Sequence, residues 1–517
     1  MSSLFSSFGY NFSGQLIARM ISFLINMYLL RHIRDDVLGL VNVSLTLLYS
    51  TILFLTREPM RKANILRDSI PKFVNILWLS PLIALANSVI FVFIWNTFSS
   101  TRDQSWFVLL AFPLSAVIEA LAEPFAVVSL RFSLGGHFAV GQGVLICVKR
   151  VFVLAGLFLF PKVNHLDLFV YAQYLGTISY LLFHVIAFYI YMKNKSKPEL
   201  EKFGSFNDFL PNPSEGIDRE SLEAVGTMLS HSVLKQAITE GSGFVMTFTN
   251  LLSLKDQAVY DAVEKIGSLV ARTILAPLEE NCYAFFANII QKESTVFQRN
   301  SDNHDQLINN LSTLLHVVGV IGFVACVFGV PFSPIAISWY GGDLLEKNGG
   351  STLLSLYTLY IFVMAVNGIT ECFAMASMNN KEVFSHGKFL FFTAATHLAI
   401  NYVLCLNFNS AGFIAANVIT MSFRIVYSWR HIQTYLGARC PSFFTVLPNS
   451  STCVFLVACF FGTGFSYFIF ATTPGFMHKL AHIAIGAILF FFLSLSILQE
   501  DHVFQGIMNK FVRAHQD

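Results

Sequence analysis

Residues 45–63 read LTLLYSTILFLTREPMRKA, a run apolar enough for lipid that passes straight into Arg57-Glu58-Pro59-Met60-Arg61-Lys62. The rest of the chain decides where those charges lie. Of its 517 residues, 55% are hydrophobic and 12% charged, with a mean hydropathy of +0.61; a soluble domain carries about 25% charged residues. Apolar runs of about 18 residues or more recur along nearly the whole length, which is the signature of transmembrane helices and not of the weak alternation of a barrel. The chain therefore reads as an all-α polytopic membrane protein. The quoted stretch is then the end of a span placed at 37–56, with a basic collar behind it.

Spans of roughly 20–30 residues fall near 6–30, 37–56, 73–98, 106–130, 137–160 and 166–192, and again near 222–252, 256–290, 308–338, 351–378, 385–406 and 409–436. A further pair near 449–471 and 476–499 brings the expected total to about 14. Between the two groups of six lies KNKSKPELEKFGSFNDFLPNPSEGIDRE, residues 193–220, whose Lys, Glu, Ser and Pro read as a surface linker. The expected organisation is an N-terminal six-helix lobe at 1–192, a cytoplasmic linker at 193–221, a C-terminal six-helix lobe at 222–437, and two additional helices with a tail at 438–517. Sliding one lobe over the other by 221 positions places Glu58 on Glu279 and Arg19 on Glu240 and aligns several helix boundaries. Two such pseudo-symmetric lobes, related by an axis along the membrane normal, would carry a substrate path between them. Loop Lys and Arg number about eighteen on one side against about seven on the other, so both termini are expected in the cytoplasm.

Charges inside the spans cost about 2.5–3.5 kcal/mol each and persist where they are paired, hydrated or turned to a cavity. Arg19 interrupts the first span, and its counterpart Glu240 would look toward it across a central cavity; the alternative is an Arg19 that snorkels to the headgroups. Glu119 and Glu123, four apart in LSAVIEALAEPF, share a face and repel unless neutralised, and Lys149-Arg150 in the next span are the natural counter-charges. That cluster reads equally as structural ion pairing and as a transport site. Glu371 stands as a lone acid in NGITECFAMASM, either a protonatable relay or a packed polar contact.

Several functions are excluded at this level. A net charge of +2 without a basic arm argues against nucleic acid. The eight cysteines are scattered without zinc or redox spacing, so no metal and no cofactor are expected. Neither GxxxxGK[ST] nor HExxH nor GxSxG occurs, which removes ATP hydrolysis and the commonest embedded hydrolases and leaves no catalytic residues to assign. MSSLFSSFGYNFSGQ lacks the basic region of a cleavable signal, and the first span is expected to serve as its own insertion signal.

The stretches LGLVNVSLTLLYSTILFLTREPMRKA, LKQAITEG, DQAVYDAVEKIGSLVARTILAPLEE, WYGG, NGITECFAMASM and GFIAANVITMSFRI, in order between about residues 15 and 430, closely resemble the eukaryotic Rft family of endoplasmic reticulum membrane proteins, within the multidrug/oligosaccharidyl-lipid/polysaccharide exporter superfamily. The resemblance implies a fold of about fourteen helices, residence in that membrane, and movement of the Man5GlcNAc2 diphosphate-dolichol intermediate from the cytosolic to the luminal leaflet for N-linked glycosylation. The implied partners are that glycolipid, membrane lipid and other membrane proteins of the glycosylation pathway. Family charge positions match at Arg19, Arg57, Glu58, Arg61, Glu119, Glu123, Lys149, Lys235, Glu240, Arg272, Glu279, Glu280 and Glu371; the family pattern expects further charge after Glu240-Gly241, where this chain has Ser242-Gly243. A diphosphate headgroup cannot cross hydrocarbon unaided, and a cavity lined by Arg and Lys would replace its water with donors. On this reading Arg19, Arg57, Glu58, Arg61, Lys235, Glu240, Arg272, Glu279 and Glu280 form the substrate path, with Arg57, Arg61 and Lys62 at its cytoplasmic mouth. The plainer alternative makes those three an ordinary positive-inside anchor with Glu58 neutralising a neighbour. Three other functions stay open: a non-transporting accessory or scaffold factor, an ion-coupled antiporter, and a dolichol-dependent glycosyltransferase using Arg34-Asp35-Asp36, although helix capping is the simpler use of those aspartates.

Overall fold

The computed structural model describes residues 20, 22–64, 70–99, 104–131, 137–193, 209–212, 216–217, 219–275, parts of 278–290, 301–473 and 475–506. Among them every regular element is a helix. Ten helices are long and apolar enough to cross a membrane, or eleven if one bent pair is a single span. The expected fourteen is thus not reached by length and composition. The span expected at 6–30 is described only from residue 20, and those expected at 222–252 and 256–290 overlap the polar segments Arg219–Thr239 and Leu254–Val270.

The chain divides into two compact units, residues 1–258 and 259–517. In the first, α1 covers 22–32, and α2 runs through Asp35–Gly39, a π-helical turn Leu40–Leu45 and Thr46–Asn64. Asp35 and Asp36 occupy its first turn, where carboxylates favour the helix dipole. Neither is the cap: Arg34 holds that position and binds Asp36 at 2.5 Å. Helix α3 breaks at Trp78 between Ile70–Leu77 and Leu79–Phe98. Pro81 has no N–H for the Leu77 carbonyl, and the Ser80 hydroxyl donates to it instead at 2.7 Å. Helix α4, Trp106–Leu121 and Glu123–Arg131, bends by 43° across Ala122, two residues before Pro124. Helices α5 (His137–Leu159), α6 (His165–Lys193) and α7 (Arg219–Thr239 continued by Gly241–Thr249) complete the unit.

Residues 222–249, which the sequence reading gives to the second lobe, belong here to the first unit and pack against its α2. The core explains why. Trp95 of α3 is fully buried among Leu48, Ile52 and Leu109, stacks edge-on with Phe248 of α7 at 4.8 Å, and donates to the Ser44 carbonyl in the widened π turn. Part of the linker is also tied down. Phe209 is fully buried against Val74, Leu77, Phe125 and Phe188, while Asn75 exchanges bonds with Asn212 at 2.7 Å and Trp78 donates to the Phe209 carbonyl.

The second unit holds most of α8 (Leu254–Val270 and a π turn Ala271–Leu275), then α9 (Ser301–Gly341), α10 (Gly350–Ser377), α11 (Asn380–Phe408), α12 (Ser410–Leu436), α13 (Ser450–Ser466 and a π turn Tyr467–Ala471) and α14 (Phe476–Glu500). At 41 residues α9 is about 61 Å long, more than the roughly 40–45 Å of a bilayer with its headgroups. A complete capping box starts α11: Asn379 accepts from the Glu382 backbone N–H, and the Glu382 side chain accepts from that of Asn379. The α13–α14 pair joins the unit through α9, with Leu456, Cys459, Leu493 and Ile497 packed on Val320.

Candidate functional site

Helix α2 does not stop at residue 56; it continues through Pro59 to Asn64, so Arg57 and Arg61 stand one turn apart on a single helical face. Glu119 and Glu123 of α4 are spaced likewise, on either side of the bend that Pro124 imposes. The two ladders meet. Arg57 lies 2.7 Å from Glu119 and donates from Nε to Glu123 at 3.0 Å; Arg61 grips Glu123 with Nε and Nη2 at 2.5 and 3.0 Å. Both carboxylates are about 1% exposed.

Lys149 is the expected counter-charge that acts on Glu119, and α2 adds Arg57 and Arg61, which the sequence reading did not pair with these glutamates. Chain adjacency did not reveal them, because α4 lies against α2 as well as its sequence neighbours. Lys149 of α5 reaches Glu119 through Tyr49: it donates to the Tyr49 hydroxyl at 3.1 Å, and that hydroxyl donates to Glu119 in a very short bond. Arg150 is half-buried beside it on α5. The aromatic rings of Tyr180 and Phe138 sit 5.6 and 4.8 Å from the guanidinium carbons of Arg57 and Arg61.

These groups wall a cavity of about 390 Å³ whose lining includes Tyr49, Phe54, Arg57, Glu58, Arg61, Glu119, Gln142 and Lys149. Glu58 reaches it from α2, and Lys235 of α7 binds Glu58 at 3.0 Å with its ammonium over the Phe54 ring at 5.5 Å. The two kinds of ion pair differ in cost. Removing one partner of a buried pair such as Arg61–Glu123 costs about 3–5 kcal/mol, because a charge is left stranded in apolar surroundings. The Lys235 and Glu58 side chains are 56% and 21% exposed, and such pairs contribute about 0–1 kcal/mol. The first set is costly to break and the second is not.

Other expected site residues lie elsewhere. Glu240 sits at the break between the two segments of α7, at the N-cap position of Gly241–Thr249. Arg272 folds back onto Ser268 of its own helix at 3.1 Å, and Glu279 packs on Gly368 of α10. Arg19, Glu280 and the side chain of Lys62 lie outside the described residues. Glu371 is not alone: Arg424 of α12 clamps both its oxygens at 2.7 and 2.5 Å, Asn367 donates at 3.0 Å, and His386 stands 3.9 Å away. Sequence reasoning missed Arg424, although a single Arg in GFIAANVITMSFRI facing a single Glu in NGITECFAMASM is the signal that pairs them. No group of three or more His, Cys, Asp or Glu arranged for a metal occurs among the described residues.

The architecture has solved counterparts. The structure of a lipid II flippase, MurJ, in an inward closed conformation is similar with a TM-score of 0.58 and 15% identity, covering 95% of this chain and 99% of that one. An inward-facing multidrug resistance MATE family transporter of the MOP superfamily follows with a TM-score of 0.57 and 11% identity, covering 83% of this chain and 99% of that one. At such identities the likeness shows the fold. Sequence carries kinship further: the Caenorhabditis elegans Man(5)GlcNAc(2)-PP-dolichol translocation protein RFT1 is 63% identical over 521 residues, covering 100% of both chains. The Xenopus tropicalis protein of the same name is 31% identical, covering 97% of this chain and 96% of its own. The Rft protein family pattern matches residues 3–510. With the matched ladders of charge lying inside that span and full-length kinship on either side of them, the chain belongs to the Rft protein family.

Proposed function

We propose that this protein moves a dolichol diphosphate-linked oligosaccharide of the Man5GlcNAc2 class from the cytosolic to the luminal leaflet of the endoplasmic reticulum, for N-linked glycosylation, by alternating access without ATP hydrolysis. One observation carries the reading. Arg57, Arg61 and Lys149 line a cavity of one unit, with Lys235 beside it on the Glu58 that also lines it, in a chain whose full-length relatives are named for that translocation. Four cations against Glu58, Glu119 and Glu123 leave the site short of one negative charge when all are ionised, which suits an anionic headgroup. The volume is near the low end of the roughly 300–1,000 Å³ of ligand pockets, so it fits the diphosphate end and not the whole heptasaccharide. Membrane lipid would keep the prenyl chain. The distribution of Lys and Arg supports a cytoplasmic position for both termini.

A second reading, an accessory factor that assists other membrane proteins of the pathway, draws on the same geometry. Arg57 and Arg61 are already neutralised by Glu119 and Glu123, as in an inert scaffold. Binding separates the two. Purified protein in lipid nanodiscs is expected to bind a dolichyl diphosphate sugar in preference to the monophosphate, with the Lys235→Ala variant weakened; equal, feeble binding of both lipids by parent and variant would favour the accessory role.

A further inference from the structure

Arg57, Arg61 and Lys149, which line the first-unit cavity, and Lys235, which sits beside it on the lining Glu58, each have an internal partner, so an incoming anion has to replace something. The pairs are not equally replaceable. Arg57 and Arg61 are held by carboxylates about 1% exposed, and Arg61 by two bonds at once. Lys149 donates to Tyr49, which is itself spent on Glu119. Lys235 is different: its side chain is 56% exposed, its carboxylate partner Glu58 is 21% exposed, and Phe54 holds the ammonium from the side at 5.5 Å. If Glu58 leaves, the ring still keeps Lys235 in place.

The geometry points to Glu58 as a built-in stand-in for the phosphate of the substrate, occupying Lys235 while the site is empty and giving way when a diphosphate arrives. This rests on the proposed function for the class of anion. Glu58 is a positioning residue on this account, because it touches the headgroup only by competing with it. A carboxylate presents two acceptor oxygens, as one edge of a phosphate does, and a diphosphate brings more charge and more acceptors to the same ammonium. Competition by Glu58 would weaken resting binding while making release easy, since the carboxylate returns as the headgroup departs. A transporter needs both, because a site that only holds its cargo does not turn over.

The sign of one substitution tests it. In nanodiscs carrying the full chain, inorganic pyrophosphate and farnesyl diphosphate serve as probes, titrated calorimetrically. Glu58→Gln is expected to bind either probe about two- to fivefold tighter than the parent, the range that follows from the weight of an exposed ion pair. Glu58→Asp should return toward the parent and Lys235→Met should bind more weakly. The double variant should bind no more tightly than Lys235→Met alone; a gain that persists in it would come from the general loss of negative charge and would overturn the exchange. Parental binding with unchanged or weaker affinity in Glu58→Gln, at parental thermal stability, would overturn it too while leaving the proposed function intact. If neither probe binds the parent, the diphosphate reading falls and the exchange falls with it. Preference for farnesyl diphosphate over pyrophosphate would assign the site to a lipid headgroup, and equal affinity to the free anion.

Discussion

Glu123 receives three hydrogen bonds from two guanidiniums while almost wholly buried. Glu123→Gln keeps the shape and removes the charge, leaving two cations with less than their counter-charge, so a loss of about 3–5 kcal/mol is expected. Glu58→Gln should cost less than about 1 kcal/mol. Thermal unfolding of the two detergent-purified variants side by side checks this; equal midpoints would mean the cluster is hydrated and its carboxylates interchangeable. In the second unit, Arg424→Met should destabilise more than the double change Arg424→Met with Glu371→Gln, because the pair couples by about 0.5–3 kcal/mol. Additive losses would show that Glu371 has another counter-charge. Residue spacing made half of this legible. The sequence shows Glu119 and Glu123 one turn apart and Arg57 and Arg61 likewise, and it matched Lys149 to the acids, but it does not show that α4 lies on α2, so the two arginines were not paired with them.

Glycines and the linker set how the elements sit. A Cβ on Gly39 would lie 1.9 Å from the Leu254 carbonyl oxygen, a backbone atom that cannot turn aside. Gly39→Ala is therefore expected to destabilise by about 1–3 kcal/mol. Gly226 within α7 has nothing within 4 Å, and Gly226→Ala should stabilise by roughly 0.5–1 kcal/mol through helix propensity. Opposite shifts of the melting midpoint support both assignments, and a loss in each would place an unseen neighbour at Gly226. Phe209→Ala removes a fully buried ring, a change worth about 3–5 kcal/mol in a packed core. Its first consequence should be faster proteolytic cleavage within 193–218, read against Phe160→Ala, whose ring is exposed; equal cleavage would return the segment to the free tether that composition suggests. Composition saw Lys, Glu, Ser and Pro there and was right about polarity. It had no means of weighing one Phe and one Asn, whose partners Val74, Trp78 and Asn75 lie more than a hundred residues away in the chain.

Across the whole molecule, apolar runs gave helix class and most boundaries, because burial in lipid demands length and hydropathy from each span separately. What they did not give is how helices group. Residues 222–249 follow the polar linker yet pack with α2, held by Phe244 and Phe248 against Trp95. The family was legible in its motifs, while the charge partners inside it needed coordinates. The central claim is that this assembly carries a lipid diphosphate across a bilayer. The most direct measurement is transbilayer movement of a dolichyl diphosphate heptasaccharide in vesicles holding only the purified protein, beside Lys235→Ala of parental stability. The account predicts movement faster than in protein-free vesicles and largely lost in the variant. A rate no greater than in empty vesicles, from protein that still restores glycosylation in cells, would contradict it.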